Sequence, residues 1–183
     1  EGDLQFIVAN NVEKDKRHEK NKTKFKEEEI WKVAHDLLQG ARFLHENKIL
    51  HRDIKAANIF FSGGLAKLGD MNVSRLLKEE EFAKTQTGTP YYTAPEIWDS
   101  RPYGPMCDIW SIGCVVYEMA TFRPPFQAQS YQGLYRKVRA GVYERIEGYS
   151  QKITVLVQKC LQLNERDRWS ADKMLSNMFH VHS

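Results

Sequence analysis

At 183 residues, with 42% hydrophobic and 28% charged residues, the chain is long enough to bury one core and too apolar to read as disordered. A net charge of +3 is too small to imply a nucleic-acid partner by itself, and none is expected. Cys107, Cys114 and Cys160 are odd in number and form no CxxC pair, which argues against a disulfide framework or zinc site and for a reducing intracellular compartment.

The acidic opening Glu1-Gly2-Asp3 is followed by no long apolar run, so no signal peptide is expected, and without an initiating Met it reads as cut from a longer chain. Asp3 is a plausible N-cap for a short helix from Leu4 to about Val12. Glu13 to Lys26 is dense in charge and poor in apolar residues, which predicts an exposed loop. Its Lys14, Lys16, Arg17, Lys20, Lys22, Lys24 and Lys26 alternate with Glu13, Asp15, Glu19 and Glu27. The acids dilute the field, so a solvated segment is favoured over a docking surface for an acidic partner. Glu27 to Asn47 is strongly helical, with Ile30, Val33, Ala34, Leu37, Leu38, Ala41 and Leu44-His45 at helical spacing. Ile49 to Leu68 holds short apolar runs broken by Ser62-Gly63-Gly64, which predicts small hairpin strands. Lys78 to Pro95 lacks a sustained period and reads as a long loop of the kind that carries function. Helices are then expected over Asp108 to Thr121, Tyr131 to Ala140, Ser150 to Leu161 and Ser170 to Met178. The most apolar stretch, Ile109 to Ala120, is too short to cross a bilayer and holds Ser111 and Glu118, so it reads as a core helix and no membrane partner is expected. His18, His35, His45, His180 and His182 have no metal-ligand spacing and read as surface or packing residues. The fold class is mainly α with short β-hairpins.

The chemistry concentrates in His51-Arg52-Asp53-Ile54-Lys55-Ala56-Ala57-Asn58. Asp53 supplies a carboxylate that can accept a hydroxyl proton, Lys55 a fixed cation for a phosphate in transfer, and Asn58 an amide oxygen suited to hard magnesium. The stretch resembles the HRDxKxxN catalytic loop of eukaryotic protein kinases at every fixed position. Lys55 favours the Ser/Thr class. Asp70, in Lys67-Leu68-Gly69-Asp70-Met71-Asn72, stands where the family has the Asp of DFG, which implies a second magnesium ligand. Met71 and Asn72 depart from that triplet, although Met can fill the Phe pocket and Asn tolerates positive φ. Ala94-Pro95-Glu96 matches the APE motif, so residues 70–96 would be an activation segment.

The resemblance assigns further roles. Glu96 would pair with Arg168, in Arg166-Asp167-Arg168-Trp169-Ser170, and His51 would be structural. Asp108 would accept hydrogen bonds from the catalytic-loop backbone, with a simple helix N-cap as its plainer role. Thr85 stands at the usual activating phosphorylation position, with Arg52 and Arg75 as the basic ligands of that phosphate, and Thr89 would support Asp53 and Lys55. Gly88-Thr89-Pro90-Tyr91-Tyr92-Thr93-Ala94-Pro95-Glu96 is similar to the segment of the NIMA-related kinases, as is Phe60, which would floor the adenine pocket. Glu1-Gly2-Asp3-Leu4 looks like the end of a kinase hinge, with Asp3 placed to touch the ribose. What this implies is the C-terminal lobe of a Ser/Thr kinase over 1–183, using ATP and Mg2+ on protein substrates, cytoplasmic and with cytoskeletal partners. A glycine-rich loop, a strand lysine and its helix Glu do not precede it here, so this chain alone is expected to bind ATP poorly. The alternative is a pseudokinase or truncated lobe that serves as a protein-binding scaffold.

Overall fold

A computed structural model describes residues 3–16, 24–69 and 90–179. In chain order the elements are α1 (Leu4–Lys16), α2 (Glu27–Glu46), a 3-10 turn (Ala56–Asn58), β1 (Ile59–Ser62), β2 (Leu65–Leu68), α3 (Pro95–Trp98), α4 (Met106–Thr121), α5 (Tyr131–Ala140), α6 (Gln151–Cys160) and α7 (Ala171–Met178). The described chain is mostly helical, with one two-stranded antiparallel sheet.

Asp3 caps α1, its Oδ1 accepting the Phe6 N–H at 2.7 Å, and Leu4 and Val8 bury one side of the helix. The helix continues to Lys16, past the end at Val12 that charge density predicts. Glu and Lys are good helix formers, and Glu13–Lys16 contains neither Gly nor Pro, so charge alone does not stop the helix there. α2 follows its expected span to within one residue. Three glutamates occupy its first turn, where the helix dipole favours negative charge, and Glu29 Oε2 accepts the Lys26 N–H at 2.6 Å. Its apolar stripe, from Ile30 to Leu44, is buried.

The hairpin turns through Gly63 and Gly64, whose φ values of 61° and 73° suit the mirror-image turns that match strand twist. α2 holds the hairpin in place: Asp36 Oδ2 accepts the Ala66 N–H at 2.9 Å, and Lys32 donates to the Gly64 carbonyl. Of the loop expected over Lys78–Pro95, residues 78–89 lie outside the described residues, and Pro95 instead opens α3 with its fixed φ at the first turn.

α4 is the hub. It packs on α2 and on α6, while α2 also receives α7. Almost every face of α4 is buried, from Cys107 to Ala120. It begins at Met106, so Asp108 lies within its first turn and Pro105 takes the N-cap position. Arg168 locks α3 beneath α4. Its Nη1 and Nη2 donate to Glu96 Oε1 and Oε2 at 2.6 and 2.7 Å, and it also donates to the carbonyls of Gln162 at 2.7 Å and Met106 at 3.0 Å. The Glu96 and Arg168 side chains are fully buried, and the guanidinium lies 5.0 Å from the Trp110 ring centroid.

A buried charge left without its partner costs about 3–5 kcal/mol. Arg168→Met should therefore lower stability by about that amount in urea unfolding. The double variant Arg168→Met with Glu96→Leu should recover part of the loss, and no recovery would mean that the carbonyl bonds of Arg168 outweigh its ion pair.

Candidate active site

The site is built on the Asp108 carboxylate, 1% exposed. Its Oδ1 accepts the Arg52 N–H at 2.9 Å, and its Oδ2 accepts the His51 N–H at 3.0 Å. The same Oδ2 lies 2.9 Å from His45 Nε2. Three N–H groups thus converge on one carboxylate, and its role is to hold the 51–52 backbone rather than to cap α4. The clamp is needed because Arg52 has a φ of 67°, a left-handed conformation that side chains disfavour. His45, read from sequence as a surface or packing residue, is one of the three donors. It sits at the edge of the α2 stripe beside buried Leu44, which is the one sequence signal that could have marked it.

Past Arg52 the chain delivers three side chains to one point. Asp53 Oδ2 accepts from Lys55 Nζ at 2.9 Å and from Asn58 Nδ2 at 3.0 Å. Asn58 Nδ2 also donates to the Asp53 carbonyl at 2.9 Å. Asn58 is buried on the 3-10 turn, whereas the Asp53 and Lys55 side chains are 40% and 39% exposed. Both of these Asn58 bonds use its amide nitrogen, which leaves Oδ1 as the oxygen able to ligate a hard cation.

Gly69 ties the hairpin to this loop. Its N–H donates to the Asn58 carbonyl at 2.9 Å, and its carbonyl accepts from His51 Nε2 at 3.1 Å. A carbonyl only accepts, so the His51 proton sits on Nε2. Phe60, 42% exposed, packs against Gly69: a Cβ there would fall 2.5 Å from the Phe60 ring. Asp3 bridges to Phe60 through the backbone while its Oδ1 caps α1. Asp3, through the backbone, and Gly69, against the ring, therefore both meet Phe60. Asp70, Arg75, Thr85 and Thr89 lie outside the described residues.

On the other side, Tyr92 donates its hydroxyl to Glu118, and Ser111 Oγ donates to the Tyr92 carbonyl at 2.9 Å. Burial pushes the Glu118 carboxyl above its ordinary value, and the Tyr92 hydrogen bond partly offsets this. Burial and the Glu118 charge push the Tyr92 phenol well above its own. This pair was not legible in the sequence, since its members stand far apart in the chain. Among the described residues no group of three or more His, Cys, Asp or Glu could hold a metal ion, and no helix is long and apolar enough to cross a membrane.

The family described as protein kinase domain matches residues 3–180. The chain belongs to the protein kinase family. Its relatives include the human serine/threonine-protein kinase Nek5, 42% identical over 161 residues that make up 85% of this chain and 22% of that protein. Mouse serine/threonine-protein kinase Nek3 is 40% identical over 82% of this chain and 30% of that protein. The probable serine/threonine-protein kinase nek2 of Dictyostelium discoideum is 34% identical over 97% of this chain and 42% of that protein. The likeness within the kinases is thus to the NIMA-related branch, and the chain spans less than half the length of each of these relatives.

Two outcomes follow from this geometry. Gly69→Ala should force the Phe60 ring aside and cost about 1–3 kcal/mol, the usual size of an overpacking penalty. Pairing it with Phe60→Ala should relieve the clash, so urea unfolding of the double variant should show less than the sum of the two losses. Tyr92→Phe should leave the buried Glu118 carboxyl without that donor, at a cost of about 1–3 kcal/mol. The carboxyl of Glu118 should then rise further, because the lost bond was lowering it. A protonated carboxyl needs the donor less, so the gap between variant and parent should narrow as pH falls. A gap that stays constant with pH in denaturant titrations would remove Glu118 from that account.

Proposed function

We propose that the protein carrying this chain transfers the γ-phosphoryl group of ATP to serine and threonine hydroxyls of proteins. In this reading residues 1–183 form the C-terminal lobe of the kinase domain, with residues 70–96 its activation segment. The observation that carries it is the Asp53, Lys55 and Asn58 cluster, held by a carboxylate that clamps the backbone just before it. Asp53 accepts the proton of the incoming hydroxyl. Its half-exposed carboxylate can meet a substrate from solvent, and Lys55 and Asn58 fix its orientation. Lys55 neutralises charge on the group being transferred.

The donors fit magnesium: Asn58 keeps Oδ1 for a cation, and Asp70 would add a carboxylate. Bound magnesium supplies neutralisation of the polyphosphate charge. Phe60, packed on Gly69 and beside Asp3, supports an adenine floor with the ribose near Asp3. Thr85 would be the activating phosphosite, with Arg52 and Arg75 as its ligands and Thr89 supporting Asp53 and Lys55. Cytoplasmic residence and cytoskeletal partners belong to the same reading through the family resemblance.

Radiolabelled ATP with magnesium and casein, supplied to the full-length protein, tests this directly. Asp53→Asn keeps the side-chain shape and removes the base, so transfer should fall by about 10²–10⁴-fold. Equal transfer by parent and variant would reject Asp53 as the base. No transfer by either would favour a scaffold built on the same lobe.

A further inference from the structure

Away from Asp53, α3 and α5 meet along an edge that the proposed reaction does not use. Leu134 and Val138 seat α5 in the core. Tyr131, Tyr135 and Arg139, at positions i, i+4 and i+8, run beside them along the flank facing α3. From α3 comes Trp98, whose ring centroid is 4.5 Å from that of Tyr131 and 5.7 Å from that of Tyr135. Asp99, which follows it, has a side chain only 12% exposed. Its Oδ1 accepts from the Tyr135 hydroxyl at 3.0 Å, and its Oδ2 accepts from both Arg139 and, at 3.2 Å, Arg101 Nε.

Two guanidinium groups therefore converge on one carboxylate oxygen, leaving one positive charge in excess. Both stay half exposed, at 53% for Arg139 and 51% for Arg101. α5 contains no acidic residue to balance them, and Arg136 and Lys137 add exposed positive charge. Tyr131, 65% exposed, presents an apolar ring on the same flank, about two helical turns before Arg139. Tyr, Trp and Arg held in fixed positions are the residues that dominate protein interfaces. Their orientation is set here before any partner arrives.

We propose that the α3–α5 edge docks an acidic segment of a protein substrate. A carboxylate side chain takes the excess charge of Arg101 and Arg139, and an adjacent apolar side chain packs on Tyr131 and Trp98. Charge selects this occupant. An acidic side chain complements the two guanidinium groups, which Asp99 only half neutralises. The edge is tied to the stretch beside the candidate active site. Trp98 Nε1 donates to the Thr93 carbonyl at 3.2 Å, and the neighbouring Tyr92 carbonyl is held by Ser111. Only the word substrate rests on the kinase reading; the binding itself needs no phosphoryl transfer.

The test is fluorescence anisotropy with a short labelled peptide containing Glu-Glu-Phe-Leu, titrated with the full-length protein. Saturable binding is expected, weakening with added salt between about 50 and 300 mM. It should weaken about tenfold or more in Tyr131→Ala and in Arg139→Gln, a loss of about 1.4 kcal/mol. Tyr131→Ala changes an exposed side chain and should keep the parent's thermal melt, so lost binding in it is not lost folding. The Asp53→Asn protein should bind the peptide as the parent does, which separates this proposal from the fate of the kinase reading. No saturable binding would overturn it. So would equal binding of a Gln-Gln-Phe-Leu peptide, tighter binding of a phosphoserine peptide, equal competition by a single-stranded oligonucleotide, or unchanged affinity in Tyr131→Ala.

Discussion

The Asp108 carboxylate sets the conformation on which the candidate site depends. Holding Arg52 left-handed costs about 1–2 kcal/mol. Hydrogen bonds to a charged group contribute about 1.5–3 kcal/mol each. With the Arg52 and His51 amides and His45 all directed at one carboxylate, the clamp outweighs the strain. The direction of cause matters. The backbone turn at Arg52 is imposed from α4, a helix far along the chain, and its consequence is that Asp53 leaves the turn where Lys55 and Asn58 can reach it. Loop residues alone would relax toward extended conformations and scatter these groups.

A second buried carboxylate works on the same helix from the opposite side. Glu96 takes both arms of Arg168, which also satisfies the Met106 carbonyl at the start of α4. The start of α4 is therefore held twice, by Asp108 reaching toward the 51–52 backbone and by Arg168 reaching toward α3. Neither charge is replaceable by simple deletion, because each sits where water cannot compensate. Around them Trp110 stacks on Phe126 with centroids 5.5 Å apart, so the polar anchors are embedded in close aromatic packing.

What the sequence makes legible follows the range of the interaction. Helical periodicity located α2, α4, α5, α6 and α7 to within a few residues, because burial of one stripe is a local pattern. The Asp53, Lys55 and Asn58 cluster could be picked out because a short loop keeps sequence neighbours together. Charge density predicts a loop from Glu13, whereas α1 runs to Lys16, because Glu and Lys favour helix. The roles of His45 and of the Tyr92–Glu118 pair are not legible in the sequence for a different reason. Each is decided by a partner that tertiary packing brings close, and neither residue carries a distinguishing pattern of its own. The N-cap role considered for Asp108 fails on a local detail, since α4 begins at Met106 and the residue falls inside the first turn.

Three carboxylates near the site show how one side-chain chemistry is divided by its surroundings. Asp108 is sealed from solvent and its oxygens meet three N–H donors and the Cys107 thiol, which leaves no room for a reacting group and suits it to holding backbone. Glu118 is mostly buried with the Tyr92 hydroxyl as its donor, so burial dominates and its proton affinity rises. Asp53 alone keeps two-fifths of its side chain open while Lys55 and Asn58 fix its orientation. A general base needs both properties, since an exposed carboxylate without partners would sample many rotamers and a buried one could not meet a hydroxyl. Of the three, Asp53 is therefore the carboxylate whose environment suits a reacting group.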